Sequence, residues 1–120
     1  MKKILFIEDE NDLNLAYREK FQDLYAVEFA GDSSAALLKI KSFLPDLIIL
    51  DILIPGEVNG IGVLKEIKSN HEMSDIPVFV LTNLEGQEET VKSLGAVDCM
   101  VKSNTSFDVV AQKIENILSS

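Results

Sequence analysis

Asp51 stands in the stretch "DLIILDILIP", a carboxylate set among apolar neighbours. An acid in such a run caps it, pairs with a cation or belongs to a site, and groups elsewhere in the chain point to the third. Glu8, Asp9 and Glu10 follow the apolar run "ILFI", Thr82 follows "IPVFVL", and Lys102 follows "DCMV". Carboxylates brought close together repel one another, and at least one stays protonated unless a cation neutralises the group. A hard divalent ion suits oxygen donors, and magnesium suits them best, because it binds through one or two carboxylates and keeps positions open for water or phosphate oxygens. Beside such an ion, an Asp51 oxygen could attack a phosphoryl group to form an acyl phosphate. The equatorial oxygens would then be shared among the metal, the Lys102 ammonium and the Thr82 hydroxyl.

Each of these residues has a plainer reading when taken alone. Acids after a strand are commonly a solvated helix N-terminus, where the dipole favours negative charge. Lys102 alone is a surface lysine, and Thr82 alone an ordinary strand end. His71, the lone histidine, lies in the polar stretch "KSNHEMSD" and reads as a loop residue. Cys99 reads as a small buried residue. The sharper reading requires that separate parts of the chain deliver their polar ends to one place.

The elements that would do so are short apolar runs alternating with segments of helical period. "KILFIE" (Lys3 to Glu8), "YAVEFA" (Tyr25 to Ala30), "DLIILD" (Asp46 to Asp51), "IPVFVL" (Ile76 to Leu81) and "DCMVK" (Asp98 to Lys102) have strand length. The nearly continuous ones suit strands covered on both faces, while the second alternates and belongs nearer a sheet edge. Leu13, Ala16, Tyr17, Phe21 and Leu24 share one face of a helix beginning near Asn11. Ala36, Leu37, Ile40 and Phe43 or Leu44 do so after Asp32 and Ser33, which offer N-cap oxygens. A third helix is expected near Gly60, burying Ile61, Leu64 and Ile67. A fourth, Gln87 to Leu94, has little beyond Val91 and Leu94 to bury, and Gly95 would end it in the left-handed conformation. The last runs from about Ser106 to Leu118 with Phe107, Val110, Ala111, Ile114 and Ile117 inward, and Thr105 with Asp108 matches capping-box spacing.

Alternating strands and helices predict an α/β domain with a parallel sheet and right-handed crossovers. Ligands of such sheets bind beyond the carboxyl ends of the strands, where Glu8, Asp9, Asp51, Thr82 and Lys102 would all arrive. With 120 residues and 47% hydrophobic content, one domain spanning 1–120 is expected. A net charge of −9 opposes attraction to nucleic acid or an anionic membrane. Cys99 has no second cysteine to pair with, which fits a reducing compartment. No apolar stretch approaches the roughly 20 residues needed to span a bilayer. A soluble, cytoplasmic protein is expected.

Over essentially its whole length the chain resembles the receiver domain of bacterial two-component response regulators. The resemblance rests on "ILFIEDE" (Ile4 to Glu10), "DLIILDILIPGEVNG" (Asp46 to Gly60), "VFVLTN" (Val78 to Asn83) and "GAVDCMVK" (Gly95 to Lys102), in that order and spacing. It implies a flavodoxin-like, doubly wound sheet of order 2-1-3-4-5. It also implies phosphorylation of Asp51 by a sensor histidine kinase or histidine phosphotransfer protein, with Thr82 and Lys102 as the assisting catalytic groups. Magnesium would be held by Asp9, Asp51 and the backbone carbonyl of Leu53, with Glu8 acting through a bound water. Such a domain catalyses its own phosphorylation and slow hydrolysis while serving mainly as a switch. By analogy, its downstream partner, or a second copy, would bind through the fourth helix, fifth strand and fifth helix, and it would not contact nucleic acid itself.

The chain departs from the family pattern in four places. The loop from Pro55 to Gly60 encloses "GEVN", one residue more than usual; Cys99 occupies the position of an aromatic switch; Ser103 replaces a proline preceded by a cis peptide; and Asn83 follows Thr82 where a small residue is common. Apolar Leu53 and Leu84 flank the acceptor region without a polar group to orient water, so a phosphorylated state would decay over minutes to hours; decay in seconds would refute this. A phosphorylation-independent pseudo-receiver is the main alternative, disfavoured by the intact Asp9, Asp51, Thr82 and Lys102. A phosphatase of the haloacid dehalogenase type wants an acid where Leu53 stands. A flavodoxin wants hydroxyl and glycine donors where the first loop is acidic.

Overall fold

A computed structural model describes residues 1–120. Five strands, β1 (Lys3–Ile7), β2 (Ala26–Ala30), β3 (Leu47–Leu50), β4 (Val78–Thr82) and β5 (Asp98–Val101), alternate with five helices. The helices are α1 (Asn11–Phe21), α2 (Ser33–Phe43), α3 (Gly60–Ser69), α4 (Glu88–Ser93) and α5 (Phe107–Leu118). All strand pairs are parallel, as the alternation of strands and helices predicts, and the order is β2-β1-β3-β4-β5, the flavodoxin-like arrangement that the resemblance implies.

The continuous apolar runs are explained by burial on both faces. Alternate residues of β1, β3 and β4 point to opposite sides, so every position needs an apolar side chain. Leu5, Ile7, Ile48, Leu50, Val78 and Val80 face a core shared with Ala36, Ile40, Val63, Leu64 and Ile67 of α2 and α3. Ile4, Phe6, Leu47, Ile49, Phe79 and Leu81 face the other, shared with Tyr17, Phe21, Val110 and Ile114 of α1 and α5. Each fully buried aliphatic or aromatic side chain contributes about 1.5–3 kcal/mol. β2 is an edge strand and mostly half-buried, as its alternating sequence predicts.

Element ends differ from the sequence expectation in small, physical ways. The cap of α5 is Ser106, whose hydroxyl accepts from Val109 N at 3.2 Å, so the cap lies one residue beyond Thr105. Thr105 instead closes the preceding 3-10 turn, its hydroxyl donating to the Val101 carbonyl at 2.7 Å. β4 begins at Val78 rather than Ile76 and includes Thr82 as its last residue. α1 ends at Phe21, leaving Leu24 65% exposed. Of the two candidates ending α2, Phe43 packs against the core while Leu44 adopts φ 53° as the left-handed cap. Val63 is buried in α3 where Ile61 is only half-buried. Asp32 caps α2 through Ala35 N at 2.8 Å, and Gly95 has φ 107° after α4, both as expected. No helix is long and apolar enough to cross a membrane.

Candidate functional site

The site is built by strand ends. Ile7 of β1 pairs in register with Leu50 of β3, so Glu8 and Asp51 are the next residues out from adjacent strands. Their backbones are fixed beyond the ladder: Asp51 N donates to the Ile7 carbonyl at 3.0 Å, and Glu8 N to the Ala30 carbonyl at 2.9 Å. Thr82 and Val101 form the last pair of β4 and β5, which puts Lys102 one residue beyond the edge of the sheet. Parallel topology therefore carries acids, hydroxyl and ammonium to the same rim.

At that rim Lys102 Nζ reaches Asp51 Oδ2 at 2.9 Å and Glu8 Oε1 at 2.5 Å. Glu8, Asp9 and Asp51 each offer a carboxylate oxygen within 4.8 Å of the others; Glu8 and Asp51 are buried and Asp9 is exposed. Glu8 is held twice more, by Glu10 N donating to its Oε2 at 3.0 Å and by Asn14 Nδ2 donating to its carbonyl at 2.8 Å. The other Asp51 oxygen accepts from Leu53 N at 3.1 Å. Thr82 is fully buried, and its hydroxyl oxygen accepts from Leu84 N at 3.3 Å, which leaves the hydroxyl proton free to donate.

The electrostatics follow from burial against pairing. Burial pushes the Glu8 carboxyl up, the hydrogen bonds from Lys102 and Glu10 and the Lys102 charge oppose this, the Asp51 charge adds to it, and the net direction is upward. Burial alone would lower the Lys102 ammonium, but hydrogen bonds to Glu8 and Asp51, with their charges, raise it overall. Tyr17 lies within reach of the same field: burial pushes its phenol up, and the charges of Glu8, Asp51 and Glu10 push it further.

One ammonium facing three carboxylates leaves the cluster short of positive charge. Its all-oxygen donors, one open to solvent, fit a hard divalent cation. Glu8, Asp9 and Asp51 are the carboxylates that would hold it, directly or through water, with the Leu53 carbonyl two residues after Asp51 in sequence.

Two glycines shape the loop that carries Asp51. A Cβ on Gly60 would fall inside contact of the Asp51 carbonyl oxygen and the Ile52 Cα, and Gly60 N donates to the Ile52 carbonyl at 2.8 Å. The long Pro55–Gly60 loop lies on the start of α2. Ser33 N donates to the Pro55 carbonyl at 3.0 Å, and Gly56, at φ 121°, passes so close to Ser33 that a side chain would collide with its hydroxyl.

All six residues singled out in the sequence, Glu8, Asp9, Asp51, Leu53, Thr82 and Lys102, lie along this rim. Cys99 is buried and unpaired, and every peptide bond is trans, including the one preceding Ser103. Asn14 and Tyr17 are close to the acids but were not legible as site residues. Tyr17 reads as one more apolar position of a helix face, and Asn14 reads as an ordinary polar position of the same helix.

The response regulator receiver domain profile matches residues 4–115. The response regulator PleD of Caulobacter vibrioides is 32% identical over 103 residues, covering 83% of this chain and 22% of that protein. The transcriptional regulatory protein QseB of Haemophilus influenzae is 32% identical over 113 residues, covering 92% of this chain and 50% of that one. The chain thus spans half or less of the length of these relatives. Among solved structures, the receiver domain of Francisella response regulator 1452 superposes with a TM-score of 0.89 at 22% identity, covering 99% of this chain and 98% of that one. The chemotaxis response regulator CheY4 of Vibrio cholerae superposes with a TM-score of 0.86 at 25% identity, covering 98% of each chain.

Proposed function

Because the chain belongs to the response regulator receiver domain family, we propose that it is a phosphoryl-accepting switch with Asp51 as the acceptor. The observation that carries this reading is the double contact of Lys102 with Asp51 and Glu8, beside Asp9, at the carboxyl ends of β1, β3 and β5.

The donor is a phosphohistidine of a sensor histidine kinase or histidine phosphotransfer protein. An Asp51 carboxylate oxygen attacks phosphorus, the new P–O bond forms as the P–N bond breaks, and the histidine nitrogen keeps the electron pair. Bound magnesium supplies compensation for the charge on the phosphoryl oxygens. Lys102, already at Asp51, is placed to hold one such oxygen, and the Thr82 hydroxyl has its proton available for another. Leu53 N, bonded to Asp51 Oδ1, orients the carboxylate.

The phosphorylated domain then engages a downstream protein, or a second copy of itself, through α4, β5 and α5. The support for this part is the slight anchoring of α4, which has six residues and a single buried side chain, Val91. The reading places the domain in the cytoplasm, where its donor is found.

Intact-mass measurement after incubation with acetyl phosphate and magnesium tests the reading. One phosphoryl group is expected on the wild-type chain and none on Asp51→Asn. An unmodified wild-type chain would leave the phosphorylation-independent binding module in its place.

A further inference from the structure

The loops that follow Thr82 and Lys102 are joined by one hydrogen bond. Ser103 N donates to Asn83 Oδ1 at 2.8 Å. The β4–β5 ladder ends at the Thr82–Val101 pair, so this side chain carries the pairing one step past the backbone ladder. Lys102 lies between Val101, paired to β4, and Ser103, bonded to Asn83. On its other side Thr105 N donates to the Lys102 carbonyl at 3.1 Å and the Thr105 hydroxyl donates to the Val101 carbonyl. The lysine backbone is therefore held from two directions before its side chain reaches the acids.

Packing does not make this connection. The other hydrogen bonds of residues 83–87 all stay within four positions along the chain, from Leu84 N to the Thr82 hydroxyl, from Gln87 to the Glu85 carbonyl and from Val91 N to the Gln87 carbonyl. Beside it an open groove of about 360 Å³ separates Leu84 and Gln87 from Cys99 and Val101. A small side chain at Cys99 leaves that space unfilled. Both bonding residues are exposed, so the bond contributes little to burial and acts by geometry.

We propose that Asn83 is a positioning residue, whose bond to the Ser103 amide couples the Thr82 loop to the Lys102 turn and sets where the ammonium stands relative to Asp51. The proposal rests on the reading of Asp51 as phosphoryl acceptor. Asn83 touches neither the acids nor the lysine ammonium, so its effect falls on the bound phosphoryl group and not on the metal.

Beryllofluoride with magnesium, followed by amide NMR on the full chain, tests it, with magnesium alone titrated in parallel. Asn83→Ala is expected to weaken beryllofluoride affinity by about 3- to 10-fold, the range of one lost hydrogen bond, and to leave magnesium affinity unchanged. Ser103→Ala keeps the amide donor and should behave as wild type. Ser103→Pro removes the donor, and adding Asn83→Ala to it should cost nothing further, because the two changes remove the same bond. Unchanged affinity in Asn83→Ala, additive losses in the double variant, or a parallel fall in magnesium affinity would each overturn the proposal. A wild-type chain that does not bind beryllofluoride would instead defeat the acceptor reading on which it rests.

Discussion

The acidic rim at β1 and β3 and the flank formed by α4 and β5 are a few residues apart in space but are built on opposite terms. At the rim, Glu8 and Asp51 are buried, each bonded by Lys102 and by a backbone amide, and their backbones are tied into neighbouring strands. On the flank, α4 buries Val91 alone, has Gln87 as an N-cap without a side-chain hydrogen bond, and follows a loop whose one hydrogen bond to a sequence-distant residue is that of Asn83 to Ser103. Chemistry needs groups that do not move during the reaction. A switch needs an element with little to lose when it moves. The molecule separates these requirements into adjoining regions and connects them through Thr82 and Lys102.

The contrast breaks most decisively if the rim proves as yielding as the flank. Leu50→Ala, at a fully buried residue supporting Asp51 from β3, is expected to cost about 2–5 kcal/mol, read as a lower urea midpoint for the whole chain. Gly60→Ala forces a methyl group against the Asp51 backbone. A loss of about 1–3 kcal/mol is expected, with weaker magnesium binding in the same titration; a change in stability alone would separate the loop from the site.

Val91→Ala sharpens the comparison from the other side. About 1–2 kcal/mol is expected, but with faster amide exchange confined to residues around α4 and no change at Glu8 or Asp51.

The smallest effect concerns Asp98, whose carboxylate meets Lys113 Nζ at 2.6 Å and Lys92 Nζ at 3.7 Å. Burial pushes its carboxyl up, but the hydrogen bonds from Lys113 and the Cys99 amide, with both lysine charges, bring it below its ordinary value. A depressed carboxyl stabilises the fold above its unfolded pKa and loses that contribution as pH falls through the folded one. Asp98→Asn should therefore cost about 0.5–1 kcal/mol at pH 7. The difference from wild type should shrink in acid as pH drops below the ordinary Asp range, measured by urea melts at stepped pH.

The strands of the sheet were legible because β1, β3 and β4 are buried on both sides and write that fact as unbroken Ile, Leu, Val and Phe; their order followed only from the family resemblance. The acids and Lys102 were legible because each directly follows such a run. Capping-box spacing points to Thr105, one residue before the observed α5 cap, since Thr105 and Ser106 both carry a suitable oxygen and only the backbone path selects between them. Ser33 gave a signal for a helix start but none for its second task, supporting the Pro55–Gly60 loop, which lies more than twenty positions away. Asn14 and Tyr17 were hidden for a similar reason: their nearness to the acids depends on how α1 docks on the sheet.

What the amino-acid order determined by itself is which polar residues follow each apolar run, and with all strands parallel that is enough to place them along one edge. What the tertiary structure decided is which of them touch: that Lys102 bridges Glu8 and Asp51, that Asp9 stays open to solvent, and that Asn83 meets Ser103. Hydrophobic periodicity is a local property and can be read residue by residue. A contact of under 3 Å between groups 94 or 51 positions apart depends on the packing of every element between them.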